Sequence, residues 1–332
     1  MDDLDKRIIT VLQAGLPVEE RPFDALAARL GVGADVLLDR VRGLLESGAV
    51  RRLGPIFDSR GLGYVSTLVA ARVPPARLEE VAARVTRLPG VTHNYERVHA
   101  YNLWFTLTSP TREMERETLA RLRTETGIPD FFSLPALEVY KIRVQFNLTD
   151  EPPPASDEDE AAPPAPGTAA PATLLDAEKR LVRLLQDGLP VEREPLARAA
   201  GTLGWTPAQV ADKLRQWLAM GVIRRYGAVV RHHRLGYAAN GMAVFRVDPT
   251  LVSEAGRCLA RRTEVSHCYQ RPPLPDFPYN LFAMTHGKTE DEVRTTVAAM
   301  AGEAGLDNWS VLFSVREFKK VSMRYFVEGE AP

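Results

Sequence analysis

Gly15-Leu16-Pro17-Val18-Glu19 returns as Gly188-Leu189-Pro190-Val191-Glu192, 173 positions later. At the same offset, with no gap, Arg51-Arg52 returns as Arg224-Arg225 and Leu62-Gly63-Tyr64 as Leu235-Gly236-Tyr237. Further along, His93-Asn94-Tyr95-Glu96-Arg97 matches His267-Cys268-Tyr269-Gln270-Arg271, and Tyr101-Asn102-Leu103-Trp104 matches Tyr279-Asn280-Leu281-Phe282. Two long copies mean a tandem duplication, because solenoids stack many short repeats. A repeated His-x-Tyr-x-Arg is more than two similar cores require. The copies part at reactive positions: Ser59-Arg60 stands opposite His232-His233, and Thr108 opposite His286.

Composition narrows the classes. A chain of 332 residues has room for two ordinary domains. A formal net charge of −1 offers no basic footprint for nucleic acid or an anionic membrane. No apolar stretch is long enough to cross a bilayer, and Met1-Asp2-Asp3 does not open like a signal peptide. Cys258 and Cys268 make neither a disulfide framework nor a zinc quartet. The expectation is a soluble, cytoplasmic protein with no membrane partner.

Each half reads in two parts. Leu4, Ile8, Val11 and Leu12 share a helical stripe, as do Phe23, Leu26, Ala27 and Leu30, with Gly31 placed for a left-handed cap. A third stripe (Leu37, Val41, Leu44, Leu45) ends at Gly48, and its counterpart (Val210, Leu214, Trp217, Leu218) ends at Gly221. Three short helices and then a β-prone stretch at 49–53 are the order of a winged helix-turn-helix. The rhythm then changes to strands at 64–73, 91–98, 101–108 and 137–146, with helices at 75–88 and 111–126. That is β-α-β-β-α-β, the ferredoxin-like order. The predicted class is α+β, in two copies. The first half covers 1–149 (winged helix 1–63, ferredoxin-like 64–149) and the second 174–328 (174–236 and 237–328). Between them, 150–173 carries Pro152-Pro153-Pro154, the run Asp157-Glu158-Asp159-Glu160, then alternating Ala and Pro. It has little to bury, so it should tether the halves without setting their orientation.

A winged helix followed by β-α-β-β-α-β resembles the AsnC/Lrp family of bacterial regulators over nearly all of each half. The strings 51–60 and 224–233, 93–104, and 266–271 with 278–282 resemble the paired signatures of the sirohaem decarboxylases within it. Many of those act as two different subunits, and this chain resembles their fusion. The resemblance implies removal of two acetate carboxyl groups from sirohaem to give 12,18-didecarboxysirohaem, in haem d1 or alternative haem biosynthesis. It implies a lyase with no metal or organic cofactor of its own beyond the iron of its substrate. It also implies pairing between the halves, with a homo-oligomer or further pathway subunits left open.

A flat polyanionic disc needs cationic forks, aromatic faces and a proton donor. Arginine supplies bidentate bonds to carboxylate, so Arg224, Arg225, Arg231, Arg234 and Arg271 are candidates. Arginines beside a wing are as readily solvated or paired with local acids. Histidine titrates near neutrality and also ligates iron. We therefore assign catalysis to His232, His267, Arg231 and Tyr269. Substrate binding falls to Arg224, Arg225, His233, Arg271, Tyr279, Asn280, His286, His93, Tyr95 and Arg97. His232 as a plain loop residue, and His286 as a simple strand terminus, are the blander alternatives. A period of two puts His267, Tyr269 and Arg271 on one sheet face, so that face meets solvent or lines a polar pocket. Cys268 falls on the opposite face as a packing residue. The stiff insert at 272–278 is a candidate pocket wall, or only an ordered hairpin. Because most of these groups fall in the second half, that half is expected to carry the principal pocket.

Two other classes compete. In a DNA-binding regulator, the recognition helix would present Arg40 and Arg42, but beside Asp35, Asp39 and Glu46; Lys213 and Arg215 accompany Asp212. Mixed charge weakens the counterion-release contribution to DNA affinity. A non-catalytic haem-binding partner would use histidine only as an iron ligand. His232→Ala separates the enzyme from both. If His232 is the acid or holds the reacting carboxylate, the variant still binds sirohaem, with the visible spectrum shifted as in the unsubstituted protein. Its turnover falls by roughly a hundredfold to ten-thousandfold. An altered iron spectrum marks an axial ligand instead, and normal turnover marks a loop residue.

Overall fold

A computed structural model describes residues 1–142, 171–230 and 239–327. The first half runs α1 (Asp3–Ala14), α2 (Pro22–Leu30), α3 (Ala34–Glu46), β1 (Val50–Phe57), β2 (Val65–Ala71), α4 (Leu78–Thr86), β3 (Val91–Arg97), β4 (Leu103–Ser109), α5 (Arg112–Thr126), β5 (Phe131–Pro135) and β6 (Glu138–Ile142). The second runs α6 (Asp176–Leu185), α7 (Ala197–Leu203), α8 (Pro207–Ala219), β7 (Ile223–Val230), β8 (Ala239–Phe245), α9 (Val252–Ala260), β9 (Val265–Gln270), β10 (Leu281–Gly287), α10 (Glu290–Glu303) and β11 (Trp309–Lys320).

The helix signals act as local chemistry requires. Asp2 and Asp5 cap α1 reciprocally, Thr206 and Gln209 do the same for α8, and Gly31 takes the left-handed conformation that ends α2. The apolar stripes of both helix trios enter one shared core, in which Ile8, Phe23 and Leu37 meet Leu181, Leu214 and Trp217.

The wings do not fold within their own halves. β1 pairs antiparallel with β7, with Gly54 opposite Gly227. The repeated Gly-Leu-Pro-Val-Glu string is the clasp around this ribbon. Leu16 N donates to Tyr226 O (2.7 Å), and Leu189 N donates to Leu53 O (2.8 Å). Arg225 and Arg52 repeat the reciprocity, giving an Nη1 hydrogen to Gln13 O and Gln186 O respectively. So although 143–170 lie outside the described residues, the orientation of the halves is set by packing and not left to the tether.

The ferredoxin-like units also exchange strands. Nine strands form one row, β5-β2-β4-β3-β11-β8-β10-β9-β6. Each half contributes the ferredoxin-like order, and the end of each last strand crosses to the other half. In β11, Trp309 to Phe313 pair with β8, while Ser314 to Lys320 pair with β3. In the first half the same strand is split. β5 pairs with β2, and β6 pairs with β9. The expected strand at 137–146 therefore needs correction. The fourth strand of the first sheet is Phe131–Pro135, and Glu138–Ile142 belongs to the second sheet. An alternating pattern records that a segment pairs, not with which neighbour. Helices α4 and α5 cover one face of the first sheet, and α9 and α10 one face of the second. The uncovered faces meet through Tyr101, Trp104, Phe277, Phe282, Met242 and Leu312.

The clasp sets a stability test at Gly227. A Cβ there would stand 2.5 Å from Leu12 O, a backbone atom of α1 that cannot swing aside. Gly227→Ala should cost about 1–3 kcal/mol in denaturant unfolding, the usual range for overpacking. Gly302→Ala, with nothing within 4 Å of the new Cβ, should not destabilise. An unchanged midpoint for Gly227→Ala would mean that β7 can lift from α1.

Candidate active site

Alternation along β3 and β9 builds the site. Asn94 turns toward the helices and donates to Ala82 O (3.1 Å), and Cys268 does the same toward Gly256 O (3.7 Å). Their neighbours therefore face the other way, into the space between the two sheets. Tyr95 lies opposite Trp104 and Tyr269 opposite Phe282, so both phenols border the apolar inter-sheet core. The face bearing His, Tyr and Arg is thus a polar margin between the halves. Arg97 and Arg271 bind the halves together. Arg97 Nη1 donates to Leu312 O (2.5 Å), and Arg271 Nη1 donates to Leu134 O, each across to the opposite half. Arg271 also stacks over the Tyr269 ring at 4.7 Å.

The two margins differ. In the second half His267 Nδ1 meets Ser266 Oγ (2.8 Å), Ser266 Oγ meets His286 Nε2 (2.6 Å), and His286 Nδ1 meets Asn240 Oδ1 (2.5 Å). In the first half His93 Nδ1 meets Thr92 Oγ1 (2.9 Å), and Thr108 Oγ1 donates to Ser66 Oγ (3.1 Å). The structure thus brings His267 and His286 together, which sequence spacing alone did not join. Ser266 and Asn240 were missed as site residues. Ser266 precedes His267 in the repeated string and could have been noticed, whereas Asn240 is visible only through the β8–β10 register.

Cations surround this margin. Burial pulls His267 down to about 3, and Arg224, His286, His93 and Arg271 push the same way. Burial, then Lys320 and Arg51, pull His93 down to about 4. Burial raises the phenols of Tyr95 and Tyr269 above the ordinary range; Glu317 adds to this at Tyr95, whereas Arg271, Arg224 and Arg60 oppose it at Tyr269. At neutral pH His267 and His93 are therefore neutral imidazoles and Tyr95 and Tyr269 intact phenols, with cations acting on His267, His93 and Tyr269 and Glu317 beside Tyr95. Arg224 is exposed and tied by Nε to Asp58 Oδ2 (3.2 Å). Arg51, Arg60 and Lys320 were not among the predicted site residues; Arg51 sits where β1 meets Ser322 (3.3 Å).

Other predicted site residues have neighbours elsewhere. Arg225 gives its hydrogens to Gln13 O at the end of α1 and to Ala228 O in the wing ribbon. Asn280 brackets Val247 through both amide atoms (2.9 and 2.8 Å), as Asn102 brackets Val73. Tyr279 packs edge-on against Phe277, 4.8 Å between centroids, inside the insert at 272–278. Arg231, His232, His233 and Arg234 lie outside the described residues.

The neutral histidines predict acid sensitivity. Folded, His267 and His93 resist protonation until about 3 and about 4; unfolded, each takes a proton near 6.5. Acid therefore favours the unfolded chain. Their contribution to stability is intact above pH 6.5 and declines as pH falls toward 4 and 3. The ceiling is about 1.4 kcal/mol per pH unit for each histidine. Urea unfolding across this window should show a shallower acid loss for His267→Gln than for the unsubstituted protein. Equal slopes would place the proton uptake elsewhere.

Comparison with known proteins agrees with this architecture. The family described as siroheme decarboxylase NirDL-like HTH domain matches residues 5–51 and 178–224, and the AsnC-like ligand binding domain matches 61–141 and 234–319. A siroheme decarboxylase of Hydrogenobacter thermophilus is 40% identical, across 98% of this chain and 96% of its own. A siroheme decarboxylase alpha subunit of Desulfovibrio desulfuricans is 45% identical, over 46% of this chain and 87% of that subunit. The crystal structure of siroheme decarboxylase NirDL with an iron-uroporphyrin III analogue is 36% identical, with a TM-score of 0.74 over 98% of this chain and 95% of that one. With its fold, its duplicated motifs and its full-length relatives in agreement, the chain belongs to the sirohaem decarboxylase family.

Proposed function

We infer that this chain is a carboxy-lyase that removes two acetate carboxyl groups from sirohaem, giving 12,18-didecarboxysirohaem. The observation that carries the reading is the group of cations acting on His267, His93 and Tyr269, at the border of an apolar inter-sheet core. Such a margin suits a flat polyanion, with carboxylates toward the cations and the ring toward aromatic carbon. Arg224, paired with Asp58, and Arg51, Arg60 and Lys320 are the cations nearest this margin, and substrate carboxylates would compete with Asp58 for Arg224. Arg97 and Arg271 chiefly hold the sheets together.

Each step balances simply. An acetate side chain loses its carboxylate as carbon dioxide, the bonding pair stays on the methylene carbon, and one proton completes a methyl group. The protein's task is to orient the carboxylate and deliver that proton. His267 is well placed to hand it over, and Tyr269 is an intact phenol donor beside it. Burial chiefly keeps His267 neutral, and bound carboxylates would offset the positive field that adds to it. His232 and Arg231 stay in the proposal on their sequence motif alone. The reading calls on no cofactor beyond the iron of the substrate.

The recognition helices favour the enzyme over the regulator. Arg42 Nη2 donates to Val191 O, and Arg215 Nη1 to Val18 O, both at 2.9 Å, so each helix is tied to the clasp of the other half. Arg40 bonds Asp2 (2.7 Å), and Lys213 bonds Glu178 (2.7 Å). These basic groups already have acidic or carbonyl partners. Among the described residues, no helix is long and apolar enough to cross a membrane.

Purified protein incubated anaerobically with sirohaem should release carbon dioxide and yield a product lighter by two carboxyl groups in the mass spectrum. Unchanged sirohaem together with a tight promoter footprint would reverse the reading in favour of the regulator.

A further inference from the structure

We propose that Asn240, His286 and Ser266 form a hydrogen-bonded line that sets the tautomer of His267, and that this line makes the second half the working half of the site. The proposal rests on the decarboxylase reading. The line crosses three neighbouring strands: Asn240 on β8 sits directly opposite His286 on β10, and Ser266 and His267 lie on β9. Sheet register therefore holds its members at fixed spacing, and the three contacts are 2.5, 2.6 and 2.8 Å.

The line has a direction. Asn240 Oδ1 only accepts, so His286 Nδ1 carries a hydrogen and His286 Nε2 is left as an acceptor. Ser266 has one hydroxyl hydrogen. The 2.6 Å contact to His286 claims it ahead of the 3.4 Å approach to Met284 O. Ser266 Oγ then accepts from His267 Nδ1, which leaves the lone pair of His267 on Nε2. That nitrogen takes a proton from solvent water, becoming imidazolium while the bound carboxylates offset the neighbouring cations, and passes it to the methylene carbon after carbon dioxide leaves, which returns His267 to its neutral Nδ1–H form. Asn240, His286 and Ser266 touch no reacting atom and are positioning residues, as in other sites where a partner fixes a histidine tautomer.

The first half lacks the line. Its equivalents are Ser66, Thr108 and Thr92, and its contacts fall into two pairs, Thr108 with Ser66 and Thr92 with His93. No acceptor-only group stands at the end to choose a direction, because a hydroxyl both donates and accepts. Among the described residues, Arg224, Arg271, His93 and His286 are the charged or titratable groups acting on His267. None of the four replaces Ser266 at Nδ1.

The test uses nitrogen-15 NMR of histidine-labelled full-length protein, with steady-state turnover of sirohaem. The His267 signals are those lost in His267→Gln. The unsubstituted protein should show the Nδ1–H tautomer. Ser266→Ala should lose that preference, with kcat down at least about tenfold and KM within about threefold. Ser266→Thr should restore both, because Thr92 already makes the same contact at 2.9 Å. Thr108→Ala, in the first half, should leave kcat within about twofold. If Ser266→Ala does not fold, Asn240→Ser must produce the same tautomer change, since it removes the acceptor-only end. An unchanged tautomer, or an unchanged kcat beside a changed one, overturns the proposal. A protein whose tautomer responds but which never decarboxylates sirohaem overturns the decarboxylase reading instead, and with it the proposed role of the line.

Discussion

Reciprocal bonding between the halves is the constraint on which the rest depends. Leu16 reaches Tyr226 while Leu189 reaches Leu53, and Arg52 and Arg225 reach the helix-end carbonyls of Gln186 and Gln13. Arg97 and Arg271 repeat the pattern in the sheets. A buried arginine is costly unless its fork finds acceptors, and here each of the four gives an Nη1 hydrogen to a carbonyl of the other half. Neither half supplies the acceptors for the Nη1 groups of these four arginines, so the two halves close on each other as one unit. A wing strand left alone would expose an unpaired edge, which the β1–β7 ribbon removes.

The same exchange makes the site. Crossing strands bring β3 beside the end of β11 and β9 beside β6. Outward rows that would face solvent on a single sheet are thereby enclosed. Enclosure explains the electrostatics. Desolvation removes charge from His93 and His267, while arginines that keep their charge stay at the margin. Neutral proton carriers beside fixed cations suit a substrate that brings its own negative charge.

Duplication then let the halves diverge where packing is indifferent. Asn102 and Asn280 keep the same bracket around Val73 and Val247, because each closes a backbone turn. Cross-strand partners Ser66 and Thr108 stand where the second copy has Asn240 and His286. That change alters hydrogen-bonding capacity without disturbing the register.

Much of this was legible in the chain itself. Helical stripes, left-handed glycine caps and period-two strands are set by neighbours within a few residues, so the helix trios and the β-α-β-β-α-β order could be read directly. The facing of His267, Tyr269 and Arg271 followed from alternation, and Cys268 packs as that alternation required. Pairing partners could not be read. Within 137–146, the described Glu138–Ile142 is a strand, yet its neighbours were decided by exchange across the duplication, as was the joining of Ser266, His286 and Asn240. Local periodicity dictates which way a side chain points. Which group meets it depends on chain segments far away in sequence, brought together only when the two halves close on each other.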